Sequence, residues 1–593
     1  MLGYGRVTFV DLTSGKVREE GLSEELALSF IGGKGLGLYY LYKMTDRYTD
    51  PLGPVNPLIL AIGPFTGTSI PYSGKAAFIF KSPQTGILGE SVVGGTLGAF
   101  MRWAGLTALV ITGRSRSPVY LYVDESEVEI RDADHLWGKG IYETEESLKK
   151  EHGRVSVASI GPAGENLVKF AAIGNEKWRQ AGRTGAGAVM GSKKLKAIVI
   201  GASGIKWDAY DPEGVREFTS SEIIPKARKA MASYFKAGTT ALTSLANEMG
   251  FFPSYYWSQG SVEGWEKIAW DSLEKEVFVH PKGCFGCPTP CGRYSRSKRG
   301  GEVEIEYETV YSLGGLAAIT DPHALVWLND LIDDLGMDSI TVGNVLAFAI
   351  EAKKRGLLDT ELKLEYGDPE PLYELVKMIA FRQGIGDLLA EGVAGASRAL
   401  GAEELAVHVK GLEPAGYDPR TLKSMSLSYG VSSRGACHLR LMGYFADIKG
   451  LGGDRNSVTK EKVEAVADLE EKGVMEDSLL LCKFTRTLIS WPEMVKYFRL
   501  ITGVEVNELQ LKEAARRIIT LSRLYNVRMG ISRKDDRLPK RLLKESFQHK
   551  GEVRRITEEE MEKFLDMYYE LRGWDENGIP KREVVEKYLP GLA

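Results

Sequence analysis

The 593-residue sequence contains few of the features that mark membrane, secreted or nucleic-acid-binding proteins. No apolar run approaches the ~18 residues of a membrane helix, and residues 1–12 lack the basic and apolar regions of a signal peptide. The 76 basic and 80 acidic residues leave a net charge of −4, so no overall positive field attracts nucleic acid or an anionic membrane. The sequence therefore predicts a cytoplasmic protein with no nucleic-acid partner and no membrane partner.

Cysteine and the side-chain amides are also scarce. Five cysteines, an odd number in a chain predicted to be cytoplasmic, favour thiols or metal ligands over disulfides. Only ten asparagines and six glutamines occur, and this depletion of heat-labile amides weakly indicates a thermophilic source. Glycine is abundant instead, because 67 glycines exceed the usual ~7% share in globular proteins.

The pattern of apolar residues changes about one third of the way along the chain. Short β-rich runs separated by glycine turns occupy the first two hundred residues. Apolar residues at helical spacing follow from Asp211 onward. The predicted fold class is therefore α+β, with an N-terminal β-sheet domain followed by two mainly α-helical domains. Clusters of glycine and proline indicate the boundaries between the domains, which we place at residues 1–204, 205–412 and 413–593.

The N-terminal part contains a weak internal similarity. An apolar run at 109–113 follows the turn at Gly94 and Gly95, and a similar run at 197–201 follows Gly182, at the same spacing of 88 residues. This order suggests an internal duplication, with chance similarity between glycine turns as the alternative.

The strongest local signal is a CxxCxxxC triplet, Cys284, Cys287 and Cys291, in a loop rich in glycine and proline. Thiolates at such spacing can turn onto one compact inorganic cluster, whose fourth ligand must be Cys437 or Cys482 because no other cysteine exists. An iron–sulfur cluster is the favoured interpretation. A structural zinc site fits the unequal spacing less well, and buried or redox-active thiols are the third alternative.

Further motifs surround this loop in a fixed order, and with it they make the chain resemble the tungsten-containing aldehyde ferredoxin oxidoreductase family from end to end. Besides the cysteine loop, the motifs that carry the resemblance are residues 32–37, 81–86, 181–193, 306–309 and 434–438. Each is weak alone, and the first also misses the GxGxxG spacing of a dinucleotide-binding turn. The resemblance implies a β-sheet base formed by two related sheets, with two helical domains that enclose a cofactor above it.

The cofactor implied by the resemblance is a tungsten atom held by the dithiolene sulfurs of two pterins. A 4Fe-4S cluster beside one pterin and a magnesium ion that bridges the pterin phosphates accompany it. Molybdenum is the alternative to tungsten, because the pterin sulfurs bind the metal and no protein ligand that could distinguish the two metals is needed. The implied cluster ligands are Cys284, Cys287, Cys291 and Cys482.

Two loops resemble the pterin-binding pattern Asp-x-x-Gly-Leu-(Cys/Asp)-x of the family, and we call residues 333–339 the first pterin loop and residues 477–483 the second. Their carboxylates can accept hydrogen bonds from pterin nitrogens. Met337 replaces a leucine of the pattern, and Leu480 occupies the glycine position, where it can alter the backbone. The residues assigned to pterin binding are Asp333, Gly336, Met337, Asp338, Asp477, Leu481, Cys482 and Lys483.

The resemblance also implies cofactor contacts in the N-terminal region. Arg183 matches the family arginine between pterin and cluster, and the carbonyls of Val92 and Thr184 match those that hold magnesium. Lys75 stands where the family commonly has arginine, and an ammonium group cannot make a bidentate contact. The other residues assigned to cofactor binding are Gly94, Gly95, Gly182, Gly185 and Cys437.

The reaction implied by the resemblance is oxidation of an aldehyde or its hydrate to a carboxylic acid, with water as oxygen source and ferredoxin as electron acceptor. It requires a proton acceptor for water and a donor to the aldehyde oxygen. Glu308 matches the base, His438 the hydrogen-bond donor and Tyr417 a second donor. Glu306 is a nearby rival for the base.

Two other functions stay open: a reductive tungsten-pterin subunit acting on an aromatic acyl-thioester, and a non-catalytic iron–sulfur electron-transfer subunit. Trp327 stands near the place of an acidic residue that binds an interface iron in some homodimeric relatives, and no histidine follows it before His408. An iron-bridged homodimer is therefore not expected, whereas a separate iron–sulfur subunit is a candidate partner. The aromatic segment 251–257 is expected to pack a domain contact rather than to line a substrate pocket.

Overall fold

The N-terminal region consists of two six-stranded β-sheets. The computed structural model describes residues 1–592. The strands are β1 Arg6–Asp11, β2 Lys16–Gly21, β3 Leu58–Ala61, β4 Ala76–Lys81, β5 Leu88–Val93, β6 Leu106–Thr112, β7 Val119–Val123, β8 Val128–Asp132, β9 Val155–Ser159, β10 Ile173–Asn175, β11 Arg179–Ala181 and β12 Leu195–Gly201. The orders β2-β1-β6-β3-β4-β5 and β11-β10-β9-β12-β7-β8 describe the two sheets.

Both sheets have the same topology. In each, a hairpin comes first (β1 with β2, β7 with β8), and its first strand pairs in parallel with the last strand of the unit, β6 or β12. The other three strands of each unit, β3 to β5 and β9 to β11, then follow in the same spatial order, each antiparallel to its neighbours. This repeated order confirms the predicted duplication inside the N-terminal sheet domain.

The sheets pack against each other because alternate strand residues point to opposite faces. Leu60 of the first sheet and Ile198 of the second belong to one shared apolar core. Ile79 points to the other face of the first sheet, where helices cover it. A Cβ placed on Gly37 would lie 2.5 Å from Ile79 Cγ1, so glycine lets the covering helix approach closely.

Helices account for most of the remaining structure, as predicted. Those of the N-terminal region are α1 Glu24–Phe30, α2 Gly33–Met44, α3 Leu97–Trp103, α4 Ile141–His152, α5 Pro162–Glu165 and α6 Ala186–Ser192. Those that follow are α7 Pro212–Phe218, α8 Ile224–Ala230, α9 Ala232–Ala237, α10 Leu242–Met249, α11 Trp270–Glu276, α12 Tyr307–Thr309, α13 Pro322–Leu335, α14 Ser339–Lys354, α15 Pro369–Ala380, α16 Ile385–Leu389, α17 Gly392–Leu400, α18 Ser424–Val431, α19 Gly443–Lys449, α20 Lys460–Leu479, α21 Trp491–Thr502, α22 Glu508–Arg528, α23 Lys540–Lys544, α24 Glu558–Arg572 and α25 Arg582–Tyr588. In the part of the chain that the structure describes, none of these helices is long and apolar enough to cross a membrane.

Two small sheets within the helical part were not predicted from the sequence. Their strands are β13 Phe278–Lys282, β14 Gly292–Ser297, β15 Gly301–Ile305, β16 Phe547–His549 and β17 Glu552–Arg554. The loop between β13 and β14 contains the three clustered cysteines, so this antiparallel sheet positions the predicted cluster ligands. The domain boundaries at residues 204 and 412 stay predictions.

The corner between α13 and α14 is the first pterin loop. Asp321 caps the start of α13 by accepting a hydrogen bond from the Ala324 amide, and Gly336 ends the helix in the left-handed conformation with φ 79°. Asp338 then caps α14 through the Ile340 amide. This corner is fixed to the β-sheet base, because the amide of Ala172 donates to the Gly336 carbonyl over 2.8 Å.

Candidate cofactor and active site

A cavity lies where the β-sheet base meets the helical part. Its empty volume is about 1260 Å³, counting the space at its opening to solvent. The cavity is lined by polar and charged side chains from both parts of the chain. The predicted site residues that line it are Lys75, Val92, Gly94, Gly182, Arg183, Cys284, Glu306, Glu308, Asp333, Met337, Asp338, His438, Asp477, Leu481 and Lys483.

Four of the five cysteines share one neighbourhood beside this cavity. Burial, together with the nearby charges of Cys482 and Cys284, raises the pKa of the Cys287 thiol to about 12. Burial also raises the pKa of Cys291, with Arg179 opposing and Cys284 and Cys482 adding to the rise. The structure thus brings Cys284, Cys287, Cys291 and Cys482 together, although they are spread over nearly two hundred residues.

Two hydrogen bonds join the cysteine loop to the second pterin loop through Tyr72. The Cys482 amide donates to the Tyr72 carbonyl over 2.9 Å, and the hydroxyls of Tyr72 and Thr289 are 2.7 Å apart. Within residues 1–592, no three His, Cys, Asp or Glu side chains meet as ligands of a single metal ion do. A cubane cluster differs from a single ion because its own irons and sulfides separate the thiolates.

Cys437 has a different environment from the other four cysteines. The guanidinium of Arg434 donates to Cys437 Sγ from Nη2 over 3.1 Å and from Nε over 3.2 Å, and the Leu439 amide donates over 3.3 Å. Burial opposes ionisation of this thiol, but the charges of Arg434 and Arg440 outweigh burial and lower the pKa to about 7. Cys437 is therefore held as an acceptor beside the cavity wall.

Two cations lie close to the four grouped cysteines. Burial lowers the pKa of Lys75, but the negative charges of Cys482 and Cys284 outweigh burial and raise it. Arg179 pairs with Glu304 over 2.8 Å. Burial lowers the pKa of Arg179, but the negative charges of Cys284 and Glu304 outweigh burial and raise it. We did not identify Arg179 from the sequence, where its signal is a charged residue in a short strand just before the glycine-rich motif at 181–193.

Arg183 instead lies at the first pterin loop. Its Nε is 3.1 Å from Asp338 Oδ2, and its Nη2 donates to the Glu413 carbonyl over 2.5 Å. The following Thr184 adopts φ 69°, and its carbonyl accepts a hydrogen bond from Ser82 Oγ over 2.8 Å. The magnesium contacts of Val92 and Thr184 stay predictions.

Buried carboxylates surround the first pterin loop. Burial raises the pKa of Asp333 well above its usual value, and the neighbouring Asp330 and Glu304 add to the rise. Asn329 Nδ2 donates to Asp333 Oδ2 over 3.2 Å. Asp333 also lines the cavity beside this loop.

The second pterin loop keeps its turn in spite of the leucine at the glycine position. Leu480 adopts φ 59° and ψ 37°, which is the left-handed conformation that glycine takes without strain. For leucine this conformation costs roughly 1–2 kcal/mol. The Leu480 side chain is buried, so packing offsets the cost and the expected change of backbone is not seen.

A network of buried charges holds the carboxylate of the second loop. Asp477 lies 2.8 Å from both Arg440 Nη1 and Lys483 Nζ. Burial opposes its ionisation, but these two cations outweigh burial and lower the pKa of Asp477 to about 2. Arg440 also reaches Glu90, which pairs with Lys34 over 2.7 Å. Sequence reasoning did not identify Arg440 or Glu90.

Glu308 and His438 face each other on the cavity wall. Glu308 Oε1 is 3.3 Å from His438 Nε2, and the Gly416 amide donates to Glu308 Oε2 over 3.0 Å. Burial raises the pKa of Glu308 to about 8. Burial, together with the positive charges of Arg183, Arg434 and Arg440, lowers the pKa of His438 well below its usual value.

Aromatic rings pack against His438 of this pair. The Tyr417 ring stacks on His438 with centroids 5.5 Å apart, and Tyr444 and Phe251 stack on Tyr417 at 4.1 and 6.2 Å. Tyr417 does not line the cavity, so its role as a second donor stays a prediction. Phe251, Phe252, Tyr256 and Trp257 are fully buried, as expected of a segment that packs.

Unpaired buried polar atoms on the cavity wall test whether the implied cofactor fits. Buried polar atoms of native proteins are nearly always hydrogen-bonded. Seven cavity-lining residues nevertheless carry buried atoms without a hydrogen-bond partner, namely Trp178 Nε1, Gln180 Oε1, Arg183 Nε, Glu304 Oε1 and Oε2, Glu308 Oε1, His438 Nδ1 and Arg440 Nε. Of these, Arg183, Glu304 and Glu308 are within ion-pair distance of Asp338, Arg179 and His438. This mixture of donors and acceptors fits a polar group rich in both, such as a pterin with its phosphate. The residues present therefore fit the implied cofactor.

Comparison with known proteins gives matches over nearly the whole chain. The family profile described as aldehyde ferredoxin oxidoreductase, N-terminal domain, matches residues 7–202, and that of domains 2 and 3 matches residues 214–588. The tungsten-containing aldehyde ferredoxin oxidoreductases of Thermococcus kodakarensis and Pyrococcus furiosus are each 37% identical to this chain, over 98% of it and 98% of their own length.

Other relatives carry different descriptions. An aliphatic sulfonate oxidoreductase, WOR-like subunit, of Pyrococcus furiosus is 33% identical over 99% of this chain and 97% of its own. Among solved structures, the active site complex BamBC of benzoyl coenzyme A reductase with 1,5-dienoyl-CoA has a TM-score of 0.86 and 25% identity, covering 99% of this chain and 97% of that one.

Proposed function

The chain belongs to the aldehyde ferredoxin oxidoreductase family, and on this premise we propose that it oxidises aldehydes to carboxylic acids with water as oxygen source and ferredoxin as electron acceptor. The observation that carries the proposal is the Glu308–His438 pair, which lies on the wall of the cavity between the β-sheet base and the helical part. Such a pair can serve as proton acceptor and hydrogen-bond donor in the oxidation of a carbonyl carbon.

The residues that we propose for cofactor binding line the cavity or lie beside it. Asp333, Asp338 and Asp477 would accept hydrogen bonds from the pterin nitrogens, and Arg183 would contribute a fixed positive charge. Cys284, Cys287, Cys291 and Cys482 would bind a 4Fe-4S cluster, and the Val92 and Thr184 carbonyls a magnesium ion. When bound, tungsten on two pterins would supply two-electron redox chemistry, and a 4Fe-4S cluster would supply one-electron transfer. Molybdenum in place of tungsten is distinguished by metal analysis.

The chain itself handles the protons. Aldehyde and water together yield a carboxylic acid, two protons and two electrons. In the proposed arrangement the neutral imidazole of His438 donates a hydrogen bond to the aldehyde oxygen, while the Glu308 carboxylate accepts a proton from the attacking water or hydrate. A base with a pKa near the working pH is effective in both accepting and releasing a proton. The Gly416 amide and the Tyr417 ring hold the pair in position.

Metal and pterin analysis of anaerobically purified protein, with aldehyde-dependent reduction of a viologen dye on the same sample, tests the proposal. We expect about one tungsten, two pterins and four irons per chain, together with dye reduction that requires aldehyde. Iron without pterin and tungsten would overturn the proposal and support an electron-transfer subunit.

A second candidate is the reductive one, in which a tungsten-pterin subunit acts on an aromatic acyl-thioester. The fold likeness to the BamBC complex favours it, at 25% identity against 37% for the aldehyde enzymes. The full cofactor set without aldehyde activity, but with activity on an aromatic acyl-thioester, would establish this candidate instead.

We further propose that no iron bridges two copies of the chain. Trp327, near the place of the acidic iron ligand in some relatives, stacks its ring on Tyr373 with centroids 4.0 Å apart. An indole offers no ligand for iron at that position. The partners proposed are therefore ferredoxin and a small aldehyde, with a separate iron–sulfur subunit as the alternative.

A further inference from the structure

Two neighbouring segments carry only positive charge: one contains the cysteine loop, and the other packs against it at Gly238 and Cys291. Residues 223–247 and 277–301 contain no aspartate or glutamate. Their basic residues are Lys226, Arg228, Lys229, Lys236, Lys282, Arg293, Arg296, Lys298 and Arg299. In a chain with a net charge of −4, this is a local reversal of sign.

Most of these cations point to solvent. Arg228, Lys229, Lys236, Lys282, Arg296 and Lys298 are exposed. The exceptions are paired or buried: Lys226 contacts Glu493, Arg299 pairs with Asp334 over 2.9 Å, and Arg293 is buried. Lys282 Nζ lies 3.7 Å from Glu176 Oε2 and also acts on the carboxyl group of Glu304. Arg296 lies directly across the sheet from Glu302. Among the described residues, no salt bridge engages Arg228, Lys229, Lys236, Arg296 or Lys298, so these cations stay available to a partner.

The positive rim lies next to the cysteines. Helix α9, which contains Lys236, ends before Gly238, where an added Cβ would lie 2.3 Å from the Cys291 carbonyl oxygen. Lys282 lies two residues before Cys284. Between them, the loop tip at Gly286 has φ 63° and no neighbour within 4 Å of an added Cβ, so the tip is open.

Apolar surface accompanies this charge. Phe235, adjacent to Lys236, is 37% exposed. Within the loop, Phe285 packs its ring edge-on to Trp103 with centroids 5.1 Å apart, and the guanidinium of the exposed Arg154 lies 5.9 Å from the centroid of the same indole. A small apolar centre with a basic rim therefore surrounds the cysteine loop, and we call Arg154, Phe235, Lys236, Lys282 and Gly286 the cysteine-loop face.

We propose that the cysteine-loop face is the docking site of a small acidic one-electron carrier, the ferredoxin of the proposed function, on which this inference rests. A carrier that accepts single electrons must approach the cysteines closely and leave quickly. Interfaces of this kind are small, and complementary charge raises their rate of association more than their final affinity. A negative patch on the carrier would match the positive rim, while Phe235 and the open tip allow close contact.

Charge reversal on the holoenzyme tests the proposal. The variants are Lys236→Glu, Lys282→Glu and the double variant, and Lys16→Glu is the matched control. Lys16 is exposed on β2, which forms one edge of the first sheet, whereas β5 forms the other edge. Five strand spacings separate β2 from β5, a distance of roughly 24 Å. Binding of a purified low-potential 4Fe-4S ferredoxin of net negative charge is measured by titration calorimetry. Aldehyde oxidation is then followed with that ferredoxin and, separately, with viologen.

We expect each variant to weaken ferredoxin binding and to lower kcat/KM for ferredoxin by about tenfold, and the double variant by more. Viologen-linked oxidation and metal content should not change, because a small dye does not need the face. Added salt should weaken wild-type binding and reduce the difference between the proteins, since it screens exposed charges.

Wild-type ferredoxin binding by both single variants, or an equal loss in Lys16→Glu, would overturn the proposal. So would a tight complex that persists in high salt, which would indicate a permanent subunit. Absence of aldehyde-dependent viologen reduction in the wild type would instead contradict the proposed function. The calorimetric result on docking can still be read in that case.

Discussion

His438 and Glu308 lie 3.3 Å apart without the opposite charges of an ion pair. Burial raises the pKa of Glu308 to about 8, whereas burial and three nearby arginines lower that of His438. At neutral pH the two groups are therefore mostly a neutral carboxyl and a neutral imidazole. This arrangement keeps a proton donor and a latent base side by side in a site of low dielectric.

Replacement of Glu308 by glutamine should reduce aldehyde turnover by about a hundredfold or more, because an amide cannot accept the proton from water. Tungsten, pterin and iron contents should stay at wild-type levels. Viologen-linked turnover and metal analysis on one sample provide the measurement. Glu306→Gln is the matched control, since Glu306 is 48% exposed and lies 3.8 Å from Arg179 rather than at His438. Equal loss in both variants would remove Glu308 as the assigned base.

The pH profile of kcat should rise toward pH 8 and then level off. Glu308 is protonated below its pKa of about 8, and only the deprotonated form can act as base. Glu306→Gln should move the midpoint to lower pH, because the charge of Glu306 contributes to the raised pKa of Glu308. Glu361→Gln, at an exposed position, should leave the profile unchanged. A midpoint that stays fixed in Glu306→Gln would contradict this assignment.

The two cysteines outside the triplet should behave differently when changed to serine. Cys482→Ser should lower bound iron and weaken the electron paramagnetic resonance signal of the reduced cluster, because Cys482 lies with the triplet. Cys437→Ser should keep both, since Cys437 is held by Arg434 and Leu439. Loss of iron in Cys437→Ser alone would reverse the assignment of the fourth ligand.

A buried ion triad away from the cavity should control stability. Asp536 lies 2.7 Å from Lys410 and 2.8 Å from Arg523, with all three side chains almost fully buried. Asp536→Asn leaves two buried cations without a counter-charge, so we expect a loss of about 3 kcal/mol or more in the free energy of unfolding. The midpoint of thermal unfolding provides the measurement. Lys563→Gln, which breaks an exposed pair with Glu559, should change it little.

The pH dependence of this loss has a defined sign. Burial opposes ionisation of Asp536, but Lys410 and Arg523 outweigh burial and lower its pKa. A lowered carboxyl pKa stabilises the protein above the unfolded-state value and loses that contribution as the pH falls. The difference between wild type and Asp536→Asn should therefore be greatest at neutral pH and shrink in acid. A constant difference would contradict the role of the charge.

Sequence periodicity was sufficient for the sheet-then-helix order, because buried strands and amphipathic helices record their period locally. The duplication was suggested by the equal spacing of two glycine turns and the apolar runs that follow them. Periodicity failed for the sheet of β13, β14 and β15. These strands contain glycine, proline and several charged residues, so they lack the apolar alternation of a typical strand. Their pairing depends on contacts with the rest of the protein.

The sequence by itself determined the family motifs and the cysteine triplet, because these depend on residue type and short spacing, and the resemblance to the family then supplied the candidate base and donor. Only the tertiary structure decided which partners each group meets. Arg179 reaches Glu304 and Arg440 reaches Glu90 across 125 and 350 residues of chain. Leu480 keeps a left-handed turn because its buried side chain offsets the strain. Long-range electrostatics and packing leave no local periodic signature, and they were visible only in the folded chain.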